Sequence, residues 1–125
     1  MVIEIDFESR EALYRQVHNQ VIMGIATMQF REGDTLPSVR QLADTIGINM
    51  HTVNKAYSML QEEGYIRVDG RKGAVIAVSA DHMAELEHMK KELAMVLAKC
   101  CCKNISREEV HGLIEEIYEE YGGRD

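Results

Sequence analysis

Asn54 and Lys55, with His51 and Ser58 one turn to either side, are the residues of this chain whose types and spacing best suit chemistry. An asparagine amide presents a donor beside an acceptor and can hold adenine in bidentate fashion. A lysine can reach phosphate or guanine, and imidazole and hydroxyl groups bond to phosphate or base. None of the four is acidic. A merely solvated helix face is the plainer reading, and context bears on the choice. Asp44 is the only acidic residue between Thr35 and Gln61, although the flanks are rich in glutamate. Such a window, in a chain of formal charge −7, marks a surface that meets phosphate.

Two further contacts lie outside that stretch. Ser38 is placed to open a helix, where exposed backbone N–H groups and the helix dipole suit a phosphate. Arg40, on the same first turn, could clamp that phosphate or a guanine, or else pair with Asp44 four residues on. Arg71 and Lys72 stand between Gly70 and Gly73 at a predicted hairpin tip. Cations there suit the minor groove or the DNA backbone, and they also serve simply to keep a turn soluble.

These side chains need elements to position them. Val2 to Phe7 alternates and predicts a short strand or extended arm with Ile3, Ile5 and Phe7 on one side. Leu13, Val17, Val21, Ile25 and Met28 form one apolar stripe on a helix from about Glu11 to Phe30, ended by a turn at Arg31–Asp34. Ser38 and Gln41 form a capping box, and Val39, Leu42, Ala43 and Ile46 face inward until Gly47 stops the helix. Asn49 caps a second helix that runs to Glu63, with Val53, Ala56, Tyr57 and Leu60 inward and Met50, His51, Asn54, Lys55 and Ser58 outward. Two short capped helices joined by a tight glycine turn form a helix-turn-helix. Tyr65–Val68 and Ala74–Val78 then read as a β-hairpin, which makes the whole a winged helix.

The rest is helical. Leu86, Met89, Leu93, Val96 and Cys100 step by three and four residues, a seam of two heptads. Asn104 interrupts it. Ser106 and Glu109 cap a last helix faced by Val110, Leu113, Ile114, Ile117, Tyr118 and Tyr121 and ended by Gly122-Gly123. This pair carries more apolar surface than it can bury alone, which predicts dimerisation through Leu86, Met89, Leu93, Val96, Leu113 and Ile117.

The expected fold is mainly α with a small β-hairpin: a winged helix-turn-helix domain over 1–80, then a C-terminal helical hairpin for dimerisation over 81–125. The charge divides in the same way. Residues 1–80 carry a net −2 and residues 81–125 a net −5. No apolar run is long enough to span a membrane, and the acidic start argues against a secretory signal. Three consecutive cysteines are no disulfide framework, so a cytoplasmic location is expected.

Cys100, Cys101 and Cys102 spread over about 200° of helix circumference. Cys100 falls on the seam, Cys101 beside it and Cys102 outward. They read either as a thiol or soft-metal sensor or as small apolar fillers. No His or second Cys cluster stands at zinc-ligand spacing, so no metal site is expected. The methionines on apolar faces read as core. No phosphate loop, nucleophile pair or isolated carboxylate pair suggests catalysis, and no cofactor is called for.

Leu13-Tyr14-Arg15-Gln16-Val17, Gly33-Asp34, Leu36-Pro37-Ser38-Val39-Arg40-Gln41-Leu42-Ala43, Thr52-Val53, Lys55-Ala56-Tyr57 and Glu63-Gly64 resemble the winged-helix domain of GntR-type bacterial transcription regulators. The short tail and the Thr-Val-x-Lys-Ala-Tyr string look like the YtrA-type subfamily. The resemblance implies a dimer, paired through its tail, that represses an operon often encoding an ABC transporter. It implies DNA-contacting roles for Ser38, Arg40, Thr52, Lys55 and the wing residues Lys72 and Gly73. The chain departs from the pattern at Met50-His51, where Pro-Asn is usual, and at Arg71, which replaces the first wing glycine. The partner expected is double-stranded DNA with a palindromic operator. A winged helix used only to bind another protein, and a thiol- or metal-responsive regulator, are the alternatives.

Overall fold

The structure, a computed structural model, describes residues 3–71 and 73–122. In chain order the elements are α1 (Leu13–Ala26), α2 (Val39–Ile46), α3 (Met50–Glu62), β1 (Ile66–Asp69), β2 (Gly73–Ile76), α4 (His82–Cys102) and α5 (Arg107–Glu120). The chain divides into two compact units, Met1–Ser79 and Ala80–Asp125.

Local chemistry sets most helix ends in the first unit. The Ser38 hydroxyl accepts from the Gln41 N–H at 3.1 Å, and the Gln41 side chain accepts from the Ser38 N–H at 3.0 Å, so both halves of the capping box form. Asn49 Oδ1 accepts from the His51 N–H at 2.7 Å. Gly47 ends α2 in the left-handed conformation at φ 74°. At the end of α3, Gly64 (φ 84°) lets the Tyr65 N–H return to the Leu60 carbonyl at 2.9 Å.

The core fills the space between these helices and the hairpin. Val17 and Val21 of α1, Leu42 and Ala43 of α2, and Val53, Ala56, Tyr57 and Leu60 of α3 close on Ile66, Ala74 and Ile76. Leu60, Ile76, Val17, Val21 and Val53 lose essentially all contact with water. Each such side chain contributes about 1.5–3 kcal/mol relative to an exposed one. Polar ties supplement the packing. His18 is buried on α1, with Nε2 2.5 Å from Glu63 Oε1 beyond α3 and Nδ1 2.8 Å from Asn19 Oδ1.

The Tyr57 hydroxyl donates to the Pro37 carbonyl at 2.7 Å and so ties α3 to the entry of α2. Burial raises the Tyr57 phenol above its ordinary value of about 10. The unfolded chain therefore gives up this proton first, and stability at this site falls as pH rises beyond about 10. Tyr57→Phe should cost about 1 kcal/mol at neutral pH through the lost hydrogen bond. The deficit should narrow at about pH 11, where only the tyrosine protein is penalised. Urea denaturation at the two pH values measures both.

Strand β1 pairs antiparallel with β2, with Ile66 opposite Ile76 and Asp69 opposite Gly73. The other edge of β2 is also partly covered. Thr35 bridges to Val75, the Leu36 N–H donates to the Ala74 carbonyl, and the Ile76 N–H donates to the Asp34 carbonyl, both at 2.8 Å. The sequence predicts a turn at Arg31–Asp34 but no pairing of Thr35 or Leu36 with the hairpin.

In the first unit the structure departs from two expectations and decides between the alternatives of a third. First, α1 stops at Ala26 rather than near Phe30. Met28 adopts φ 66°, outside the helix, and the Gln29 N–H closes on the Gly24 carbonyl at 2.9 Å. Met28 is accordingly exposed, not part of the core stripe. Second, of the two expected forms, residues 3–6 take the extended arm and not the strand. The side chains of Gln16 and Gln20 supply its hydrogen bonds. Gln20 Oε1 accepts from the Glu4 N–H at 2.9 Å, and Gln16 Oε1 accepts from the Asp6 N–H at 2.9 Å. The same two side chains donate to the Glu4 and Asp6 carbonyls. Third, Ile3 is buried, but a turn at Asp6–Ser9 carries Phe7 out to 63% exposure. Val2 lies outside the described residues.

In the second unit, Asp81 caps α4 and Ser106 with Glu109 forms a capping box on α5. Hydrogen bonds from Ser106 hold the Glu109 carboxyl below the usual carboxylate range. Asn104 (φ 59°) ends α4, and the Ile105 N–H returns to the Cys100 carbonyl at 2.9 Å. No side chain of α4 or α5 among the described residues is buried. Cys100 is half-buried, whereas Cys101, expected to flank a core, is exposed with Cys102. Among the described residues nothing buries that side of α4. No described helix is long and apolar enough to cross a membrane.

Candidate nucleic-acid interface

Helices α2 and α3 present their polar sides as the sequence predicts. Val53, Ala56, Tyr57 and Leu60 anchor α3 in the core, which fixes its rotation about its own axis. Met50, His51, Asn54, Lys55 and Ser58 are therefore exposed, and Thr52 is half-buried. Among the described residues no hydrogen bond or ion pair engages the side chains of His51, Asn54 or Ser58, which leaves their polar atoms available to a ligand.

On α2, Ser38 is exposed at the N-cap. Its oxygen accepts the Gln41 N–H, so the hydroxyl proton stays available to an anion. Arg40 is exposed, and among the described residues no ion pair joins it to Asp44. The alternative of an internal salt bridge thus finds no support in the geometry. No acidic side chain lies in the first turn of either α2 or α3. No carboxylate therefore offsets the positive end of either helix dipole.

At the hairpin tip, Arg71 is exposed and its N–H is held at 2.9 Å by Asp69 Oδ1. Gly73 opens β2 at φ 79°, a conformation that suits glycine. Lys72 lies outside the described residues.

One part of this surface is not apparent from the sequence. Lys55 does not stand free. Its Nζ lies 3.9 Å from the centroid of the Tyr14 ring, and Arg15 Cζ lies 5.5 Å from the same ring. Only the Leu13-Tyr14-Arg15 string signalled these two residues, and helical spacing alone could not bring α1 beside Lys55.

In the second unit the predicted seam is open. Leu86, Met89, Leu93, Val96, Leu113 and Ile117 are all between 40% and 54% exposed. Met83, Met95, Leu97, Ile114 and Tyr118 add to this apolar surface. No group of three or more His, Cys, Asp or Glu side chains among the described residues is arranged to hold a metal ion.

A three-helix unit with a helix-turn-helix, a two-stranded wing and a cationic, nearly acid-free face defines the winged-helix class of DNA-binding transcription regulators. The chain belongs to the gntR family of bacterial regulatory proteins, whose model matches residues 13–76. It is 31% identical to the HTH-type transcriptional repressor YtrA of Bacillus subtilis over 93% of this chain and 92% of that protein. Among solved structures, it resembles a transcriptional antiterminator from Listeria monocytogenes EGD-e at a TM-score of 0.84 and 27% identity, covering 97% of this chain and 92% of that one. It also resembles YtrA from Sulfolobus acidocaldarius, a GntR-family transcription factor, at a TM-score of 0.61 and 38% identity, over 75% of this chain and 99% of that one. The family places the chain among DNA-binding regulators rather than enzymes.

Proposed function

We propose that the chain is a homodimeric transcriptional repressor acting in the cytoplasm. Residues 1–80 form the DNA-binding domain and residues 81–125 the dimerisation tail. Helix α3 enters the major groove with His51, Asn54 and Ser58 toward base edges and phosphates, while Thr52 and Lys55 meet the backbone beside it. Ser38 and Arg40 engage a phosphate or guanine at the start of α2, and Arg71, Lys72 and Gly73 lie along the flanking minor groove. The observation that carries this reading is the coincidence of exposed, unengaged polar groups with the acid-free window 35–61. The repressor role rests on the similarity to YtrA of Bacillus subtilis. The family resemblance further implies an ABC-transporter operon as the target.

Two-fold symmetry calls for a palindromic operator with half-sites about one helical turn apart. The open apolar faces of α4 and α5 supply the pairing surface. Lys55→Ala should weaken binding to specific and unspecific duplexes alike, and lower the slope of log affinity against log salt by about one for each lost phosphate contact. Fluorescence anisotropy over a salt series measures this. An unchanged affinity and slope would show that Lys55 touches no phosphate.

A further inference from the structure

Tyr14 sits in the first turn of α1, half-buried and packed against the core. The core therefore holds its ring in place. Lys55 reaches this ring from α3, its ammonium 3.9 Å from the centroid. An aromatic face carries negative potential and attracts a cation at this range. An otherwise free lysine samples many rotamers and spreads its charge over several ångströms. The ring instead selects those that direct the ammonium toward the start of α1. One side of the ammonium faces the ring, and its remaining N–H donors stay available to an external acceptor. Arg15 adds a second cation at the same ring, and no acidic residue stands in the first turn of α1.

We propose that Tyr14 is a positioning residue for DNA binding. Its ring pre-orders the Lys55 ammonium at the junction of α1 and α3, where it meets a backbone phosphate beside the groove rather than a base within it. The inference rests on the DNA-binding reading above and adds to it a residue that the sequence assigned no role. Ordering the side chain before encounter removes an entropic cost that binding would otherwise incur.

The test uses the purified full chain and a labelled duplex over a salt series. Tyr14→Leu should weaken binding about fivefold and flatten the salt slope toward that of Lys55→Ala. Tyr14→Phe, which keeps the ring, should retain the parent affinity and slope. In the Lys55→Ala background, Tyr14→Leu should cause no further loss. An equal loss in both backgrounds, or a Phe variant as weak as the Leu variant, overturns the proposal. A second measurement holds even if Tyr14→Leu fails to fold. In the DNA-free parent protein, the Lys55 ε-methylene protons should resonate upfield through the ring current, and their absence from that region overturns the pairing. If the upfield shift is present but the parent chain binds no duplex, the DNA reading falls and the positioning role falls with it.

Discussion

Replacing Gly64 by alanine is expected to destabilise the first unit by about 3 kcal/mol, more than any substitution on the exposed faces of α2 and α3. Two costs combine. Gly64 holds φ at 84°, where an L side chain is strained. An added Cβ would also lie 2.7 Å from the Ser79 carbonyl oxygen. That oxygen is backbone and cannot step aside, because the Ser79 N–H is bonded to the Gly64 carbonyl at 2.9 Å. The turn from α3 into the wing would have to open, and the hairpin with it. Gly47→Ala is the control. Gly47 shares the positive φ, yet nothing lies within 4 Å of its would-be Cβ. It should cost only about 1 kcal/mol. Chemical denaturation of both variants separates steric clash from backbone strain.

Leu93→Glu is expected to break the proposed dimer into monomers and reduce affinity for a two-half-site duplex by about 100-fold. Leu93 is 52% exposed at the middle of the α4 seam, so little intramolecular packing is lost. A carboxylate there would be buried unpaired in the proposed symmetric interface. The thermal transition of the first unit should not move, since its core contains no residue of α4. Sedimentation equilibrium reads the assembly state, and anisotropy on full and half operators reads the affinity. A variant that stays dimeric would remove Leu93 from the interface.

Much of this architecture is local, and local features are legible. Ser38 with Gln41, Asn49, and Ser106 with Glu109 announce helix starts within a few residues of chain. Gly47 and Gly64 announce ends because they occupy positions where a Cβ is unwelcome. The outward face of α3 follows from its buried stripe. What sequence did not disclose depends on approach between distant segments, or on a residue in an unusual role. Met28 takes a left-handed cap that glycine or asparagine usually fills, and its spacing from Ile25 imitates one more helical turn. Gln16 and Gln20 imitate a neighbouring strand for the arm, which no periodicity marks. The Thr35 bridge and the Tyr14–Lys55 contact exist only once the chain has folded.

A formal charge of −7 is by itself an objection to a nucleic-acid partner, because phosphate binding rests on cations. Its distribution answers that objection. Five of the seven excess negative charges lie beyond residue 80, and the window 35–61 is net +1. A tail of net −5 resists unspecific contact with phosphate, whereas the window 35–61 carries the cations.

The most direct test is a gel shift of the purified chain against the duplex upstream of its own coding sequence, at low salt and again near physiological salt. The account predicts a discrete retarded band at low salt, competed by the same duplex more effectively than by unrelated DNA. It also predicts a loss of affinity of several orders of magnitude over the salt range. Absence of any shift at low salt, or binding indifferent to salt, would contradict DNA docking through this face and favour a protein partner instead.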